Sequence, residues 1–263
     1  MPWVLRGLRN GVVTTGYPKR ADEYEAMFRS APVVVGTSAA AASSVLLEVC
    51  PTGAISRDAG GLRLDQGRCI LCGRCVQAYP GVFRWGTGSE TGALHRETLV
   101  VPPAVDSARA DVEGVREALA ARVRRLRRSV HIRHVDAGSD GSEEWEIQAL
   151  TNPTYDVHRL GIFFTASPRH ADILMVTGAG AHGMIGPLRR TREAMPDPVV
   201  VIAVGTDAIS GGLVTGGYAT RGGVASELAV DVFVPGSPPP PFAILHAILL
   251  ALGRVPARER STR

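Results

Sequence analysis

From residue 129 onward, short unbroken apolar runs alternate with segments of helical period. Val130-His131-Ile132-Arg133-His134-Val135 reads as a strand, Ile173–Thr177 as a second ended by Gly178, Val199–Val204 as a third ended by Gly205, and Val230–Val234 as a fourth ended by Pro235-Gly236. The segments between them, about Glu144–Leu150, Gly183–Ala194 and Phe242–Leu252, read as helices, the last introduced by Pro238 to Pro241. Proline is tolerated in a first helical turn. Continuous β-branched runs separated by helices predict a parallel sheet covered on both faces.

Before residue 129 the pattern is less regular. Ser56 to Gly67 is rich in turn formers, Gly86-Thr87-Gly88-Ser89 predicts a loop, and Leu99-Val100-Val101 a short strand ended by Pro102-Pro103. Val112, Val115, Leu119, Val123 and Leu126 recur at helical spacing and predict a helix over 107–128. Arg116, Arg122, Arg124, Arg125, Arg127 and Arg128 fill its other face and last turn, where cations suit the helix dipole. They read as a solvated face or as a docking surface for an acidic partner or lipid headgroups.

The net charge of +4 on 263 residues is too small to point to nucleic acid, and no apolar stretch reaches the ~20 residues of a membrane helix. The cations at Arg6, Arg9, Lys19 and Arg20 flank no continuous apolar region, so no signal peptide is expected.

The four cysteines sharpen the picture. Cys69-Ile-Leu-Cys72-Gly-Arg-Cys75 is a C-x₂-C-x₂-C run, and Cys50 precedes Pro51 upstream. The run resembles bacterial ferredoxins, in which the cysteine before a proline ligates the other cluster of a pair. Aligned to that two-cluster pattern, Cys50, Cys69, Cys72 and Cys75 complete one ligand set, while the other set falls on Ala40, Ser43, Leu46 and Tyr79. The resemblance implies a single [4Fe–4S] cluster held by iron ligands Cys50, Cys69, Cys72 and Cys75. Zinc is the alternative for such thiols. A disulfide framework does not suit a long chain with few cysteines, and retained thiols point to the cytoplasm.

The strand-end loops Asp136–Glu143, Gly205–Ala208 and Pro235–Pro238, with Ala166–Asp172, resemble the small subunit of group 4 membrane-bound [NiFe] hydrogenases and its homologue in the proton-pumping NADH–quinone oxidoreductase, complex I, over about residues 129–252. The fold expected is an α+β ferredoxin-like module at 1–105, an arginine-rich connecting helix at 106–128, and an α/β parallel-sheet, flavodoxin-like domain at 129–263, as if two neighbouring subunits were fused. That family places cluster cysteines at these strand ends. Here Asp140, Glu143, Asp207 and Ser237 stand in those positions, so no cluster is expected there. The carboxylates could bind a hard cation, which prefers oxygen ligands. They could instead be hydrogen-bonded or paired with arginine, Arg169 being a candidate, because buried carboxylates must be paired or neutralised.

Other signals are weak. His131 and His134 lie three apart in a strand and face opposite sides. His170 matches a family loop near the absent cluster. Gly178-Ala179-Gly180 and Gly211-Gly212 resemble phosphate turns but lack a Walker lysine or dinucleotide fingerprint. No catalytic nucleophile–histidine–acid set is apparent. The resemblance implies an iron–sulfur electron-transfer subunit of a membrane-associated respiratory complex, peripheral on the inner face of the cell membrane. Its partners would be a large catalytic-type hydrogenase or complex I subunit, membrane subunits and other electron carriers. The alternative is a non-catalytic structural or redox-sensing subunit of a divergent complex I-like assembly.

Overall fold

The computed structural model describes residues 2–36, 45–102, 112–123 and 129–255. Ala40, Ser43 and Arg124 to Arg128 lie outside them. The chain opens with helix α1 (Trp3–Asn10), which buries none of its residues, and strand β1 (Arg29–Val34). A short helix α2 (Val45–Glu48) precedes Cys50. Next come β2 (Ile55–Asp58), β3 (Gly61–Asp65), α3 (Arg74–Ala78), β4 (Phe83–Thr87) and β5 (Val100–Val101). β1 pairs antiparallel with β4, and β2, β3 and β5 form a second antiparallel sheet.

Ser56 to Gly67, expected as turns, is therefore mostly a hairpin. Its outer strand is exposed beyond Ile55, but Leu62 and Leu64 of β3 are buried beside Phe83 and Leu46. Two well-placed leucines suffice to fix a short strand whose partner carries little apolar signal. Tyr17, Leu94 and Leu99, all before residue 105, pack into the cores around the later sheet rather than with Leu62 and Leu64.

Helix α4 (Val112–Val123) leads to a five-stranded sheet. It contains β6 (Val130–Asp136), β7 (Ile162–Phe164), β8 (Ile173–Thr177), β9 (Val200–Val204) and β10 (Val232–Val234). The helices are α5 (Ser142–Ala149), α6 (His182–Glu193), α7 (Gly205–Ser210) and α8 (Pro241–Ala251). All strands are parallel in the spatial order β7-β6-β8-β9-β10. Counted from β6 this is the 2-1-3-4-5 order of flavodoxin-like folds.

Alternation places two cores on the two faces. Ile132, Ile173, Met175, Ile202 and Val234 face one side with α8; Leu174, Val176, Val201 and Phe233 face the other with Leu188 of α6 and Ile209 of α7. Every residue of α8 is buried. Burial of each large apolar side chain stabilises by about 1.5–3 kcal/mol, which makes α8 the principal anchor of its face. The expected strands and helices are present within a few residues. β7, three residues long at the sheet edge with Phe163 outward, and α7, six residues with no helical period, lie below what periodicity can register.

Candidate cysteine centre and the strand-end carboxylates

The three-cysteine run is a turn held at both ends. Asp65 accepts from the Gly67 amide (2.9 Å) and takes both amino groups of Arg96 (2.8 and 2.5 Å), which fixes the 3-10 turn entering Cys69. The Thr52 hydroxyl donates to the Arg68 carbonyl (2.7 Å), tying the Cys50 segment to the run. The buried Thr206 hydroxyl of α7 donates to the Cys69 carbonyl (2.9 Å), which seats the run against the parallel sheet.

Leu71 and Gly73, on either side of Cys72, take left-handed conformations, with φ of 56° and 74°, and curl the chain there. At Gly73 a Cβ would stand 2.8 Å from the Trp85 ring. Gly73→Ala should therefore cost at least about 1–2 kcal/mol, from left-handed strain and the ring contact together. Urea denaturation with iron analysis would check this, and an unchanged midpoint would contradict the packing described.

Cys50, Cys69, Cys72 and Cys75 all line one pocket, with Val49, Ile55 and Leu64 as its apolar wall. Cys69 and Cys75 are buried, Cys50 is half-buried and Cys72 exposed. Burial pushes the Cys69 thiol up to about 12, and Cys75, Cys50 and Cys72 add repulsion. Burial likewise raises Cys75, with repulsion from Cys50 and Cys72. The Ala54 amide points at the Cys50 sulfur (3.3 Å), and the Leu71 and Val76 amides favour the thiolates of Cys69 and Cys75. Four mutually repelling sulfurs in an apolar pocket, each of the buried ones met by an N–H, form a donor set fit for a cationic group that takes thiolates. Among the described residues no three His, Cys, Asp or Glu side chains close up as ligands of a single ion. A [4Fe–4S] cage instead takes its four cysteine thiolates one to each iron around its outside.

The second region lies at the carboxyl ends of the parallel strands. The strand order reverses between β6 and β8, where such sheets bind ligands. The glycine turn after β8 is spent on packing rather than on a phosphate cradle: the Ala179 amide donates to the Gly138 carbonyl (3.2 Å). Glu143 is 1% exposed and accepts from the Ser142 hydroxyl (3.1 Å). Asp140 accepts from the Ser142 amide (2.9 Å) and hydroxyl (2.6 Å), which lowers its pKa. Burial raises Glu143 to about 7, and the Asp207 and Asp140 charges add to it; burial and Asp140 also raise Asp207. The three carboxyls thus share one neighbourhood, and Gly205 makes room for it: at φ +90° its Cβ would lie 2.4 Å from Glu143 Oε1.

Ser237 makes no hydrogen bond to them among the described residues. Its loop still joins the site, since the Gly236 carbonyl accepts from the Thr206 amide (2.7 Å). Arg169 is exposed and forms no ion pair with these carboxyls among the described residues; of the two expected arrangements, hydrogen bonding, here to Ser142, is the one present. His170 is also exposed. His131 lies 3.8 Å from Asp172, whereas His134 bonds Thr177 (3.0 Å) and lies 3.5 Å from Glu144; the two histidines keep separate company. Thr206 is the functional residue that sequence reasoning misses, because its neutral, unremarkable position gives no signal of the bond that joins the two regions.

Residues 141–251 match the family model described as NADH ubiquinone oxidoreductase, 20 Kd subunit. Formate hydrogenlyase subunit 7 of Escherichia coli is 38% identical over 155 residues, 59% of this chain and 58% of that protein, so the match spans little more than half of that relative's length. The probable membrane-bound hydrogenase subunit mbhJ of Pyrococcus furiosus is 40% identical over 140 residues, 50% of this chain and 84% of that one. A chain in the structure of the membrane-bound sulfane sulfur reductase, an archaeal respiratory membrane complex, is 28% identical over 50% of this chain and 75% of that chain, with a TM-score of 0.44. The chain belongs to the hydrogenase-related subunit family of mbhJ.

Proposed function

We propose that this chain is an iron–sulfur electron-transfer subunit of a membrane-associated respiratory complex related to group 4 [NiFe] hydrogenases and NADH–quinone oxidoreductase. One [4Fe–4S] cluster is held by Cys50, Cys69, Cys72 and Cys75. The observation that carries the reading is that all four cysteines of the chain, from two separated segments, line one pocket. When bound, the cluster supplies one-electron storage. The residues do the rest: Asp65, Thr52 and Thr206 fix the loop, the Ala54, Leu71 and Val76 amides stabilise negative charge on sulfur, and Val49, Ile55 and Leu64 keep water from the inner thiols. Such amide donation and burial set cluster potential.

In this reading residues 1–105 are a ferredoxin-like module, 106–128 a connecting helix and 129–263 the hydrogenase small-subunit-like domain. The Cys69 loop rests directly on α7 and borders a cavity shared with Pro235 and Gly236. An electron on this centre therefore arrives beside the strand ends, where a large catalytic-type subunit of the complex would dock. Membrane subunits and other electron carriers complete the partners, and the chain sits peripherally on the inner face of the membrane. Among the described residues no helix is long and apolar enough to cross one.

A second reading, a structural or redox-sensing subunit, is favoured by one observation: Asp140, Glu143, Asp207 and Ser237, carboxyls and a serine, stand where the resemblance would put cluster cysteines. Anaerobic purification, iron and sulfide analysis, and EPR of the reduced protein test both. About four irons per chain with one S = ½ signal of low midpoint potential support electron transfer. The same cluster at a potential outside the respiratory range supports sensing. Zinc without iron overturns the iron–sulfur assignment.

A further inference from the structure

Helix α1 has no role in either core. It buries no residue, and Trp3 and Leu8 are 85% and 76% exposed. Helical spacing puts Val4, Leu5 and Leu8 on one side and Arg6, Arg9 and Asn10 on the other. The apolar surface continues through exposed Val12 and Val13. The chain is tied to the sheet domain only after this segment, where the Thr14 hydroxyl and Thr15 amide donate to the carbonyls of Pro153 and Thr154 (2.8 Å each).

Charge separates this segment from the remainder. Of 29 basic and 25 acidic residues, the first twenty positions hold four basic and no acidic ones, leaving 25 of each elsewhere. The whole net charge of the protein therefore arises in the first twenty residues, with Arg6 and Arg9 on α1 itself. None of Arg6, Arg9, Lys19 and Arg20 forms an ion pair among the described residues.

We propose that α1 lies in the headgroup layer of an anionic bilayer, Val4, Leu5 and Leu8 inward with Trp3 at its end and Arg6 and Arg9 toward the phosphates, so that this chain touches lipid itself. An exposed apolar face backed by arginines, with a tryptophan at the helix end, is the composition of helices that lie in the membrane interface. Each cation near an anionic surface is drawn to it electrostatically. Lipid phosphates meet these cations without requiring placed carboxylates. The inference stands apart from the iron–sulfur assignment, in which attachment to the membrane runs through partner subunits.

The test is co-sedimentation of the full chain with vesicles of phosphatidylcholine alone or mixed with phosphatidylglycerol. Binding is expected to be about tenfold tighter to the anionic vesicles, to weaken with salt, and to bring a blue shift of tryptophan emission that disappears in Trp3→Phe. Leu8→Asp should abolish binding. Arg6→Gln with Arg9→Gln should erase the anionic preference, on the order of a tenfold loss. Because α1 buries nothing, these variants should keep the circular dichroism and iron content of the parent chain. Failure of the parent chain to bind either vesicle would overturn the proposal and assign the face to a protein partner. Binding unchanged by Leu8→Asp would overturn it as well.

Discussion

Replacing Cys72 with alanine is expected to reduce bound iron from about four atoms per chain to three or fewer, and to loosen the cysteine-bearing region while the parallel sheet stays folded. Cys72 is the informative choice because it is exposed. Its loss removes a proposed ligand without opening a cavity, so the metal-free forms of parent and variant should be equally stable. The difference between their loaded forms then measures what the cluster contributes. Without it, Cys69 and Cys75 remain as buried protonated thiols in a pocket walled by Ile55 and Leu64. Hydrogen exchange should accelerate over β2, β3 and α3. It should stay slow in β8, β9 and α8, whose contacts are with one another, and around Tyr17, whose ring packs edge-on against Phe242. Retention of all four irons would remove Cys72 from the ligand set. Insolubility of the whole chain would show that residues 1–105 do not open independently of the sheet.

How far the sequence is readable follows from where its energy lies. β8 and β9 are buried on both faces, so every position but the terminal Thr177 is apolar, and Ile173–Thr177 was readable to the residue. The β2–β3 hairpin is held by Leu62 and Leu64 on one strand, and its turn formers conceal the pairing. β7 needs only three residues because β6 supplies its partner backbone. The cysteines were readable as a set from their spacing, and the fold gathers all four at one pocket. The strand-end positions were readable as neighbours, since Glu143 carries the influence of both Asp140 and Asp207. Which of the two expected arrangements they take was not: the Ser142 hydrogen bonds are present rather than an Arg169 pair, and hydrogen bonds of that kind leave no pattern in spacing.

Glu143→Gln should stabilise the chain by up to about 3 kcal/mol above neutral pH, and by little near pH 4. The sign follows from the proton. Burial lifts Glu143 from an ordinary 4.5 to about 7, so between those values the folded state holds a proton that the unfolded state has released. Stability attached to this group is therefore intact below about pH 4.5, falls as pH rises through the window, and stays lowered above about 7. Glutamine reproduces the shape and neutrality of the protonated acid and can still accept from the Ser142 hydroxyl, so it escapes the loss. Urea denaturation across that range, on the full chain with matched iron content, reads the effect as a gap that opens with pH. Asp207→Asn should narrow the gap, since it removes a charge that raises Glu143. The opposite outcome is equally definite. If these carboxyls held a hard cation, Glu143→Gln would delete a ligand and destabilise the chain at high pH, and a stoichiometric non-iron metal would be lost in Asp140→Ala.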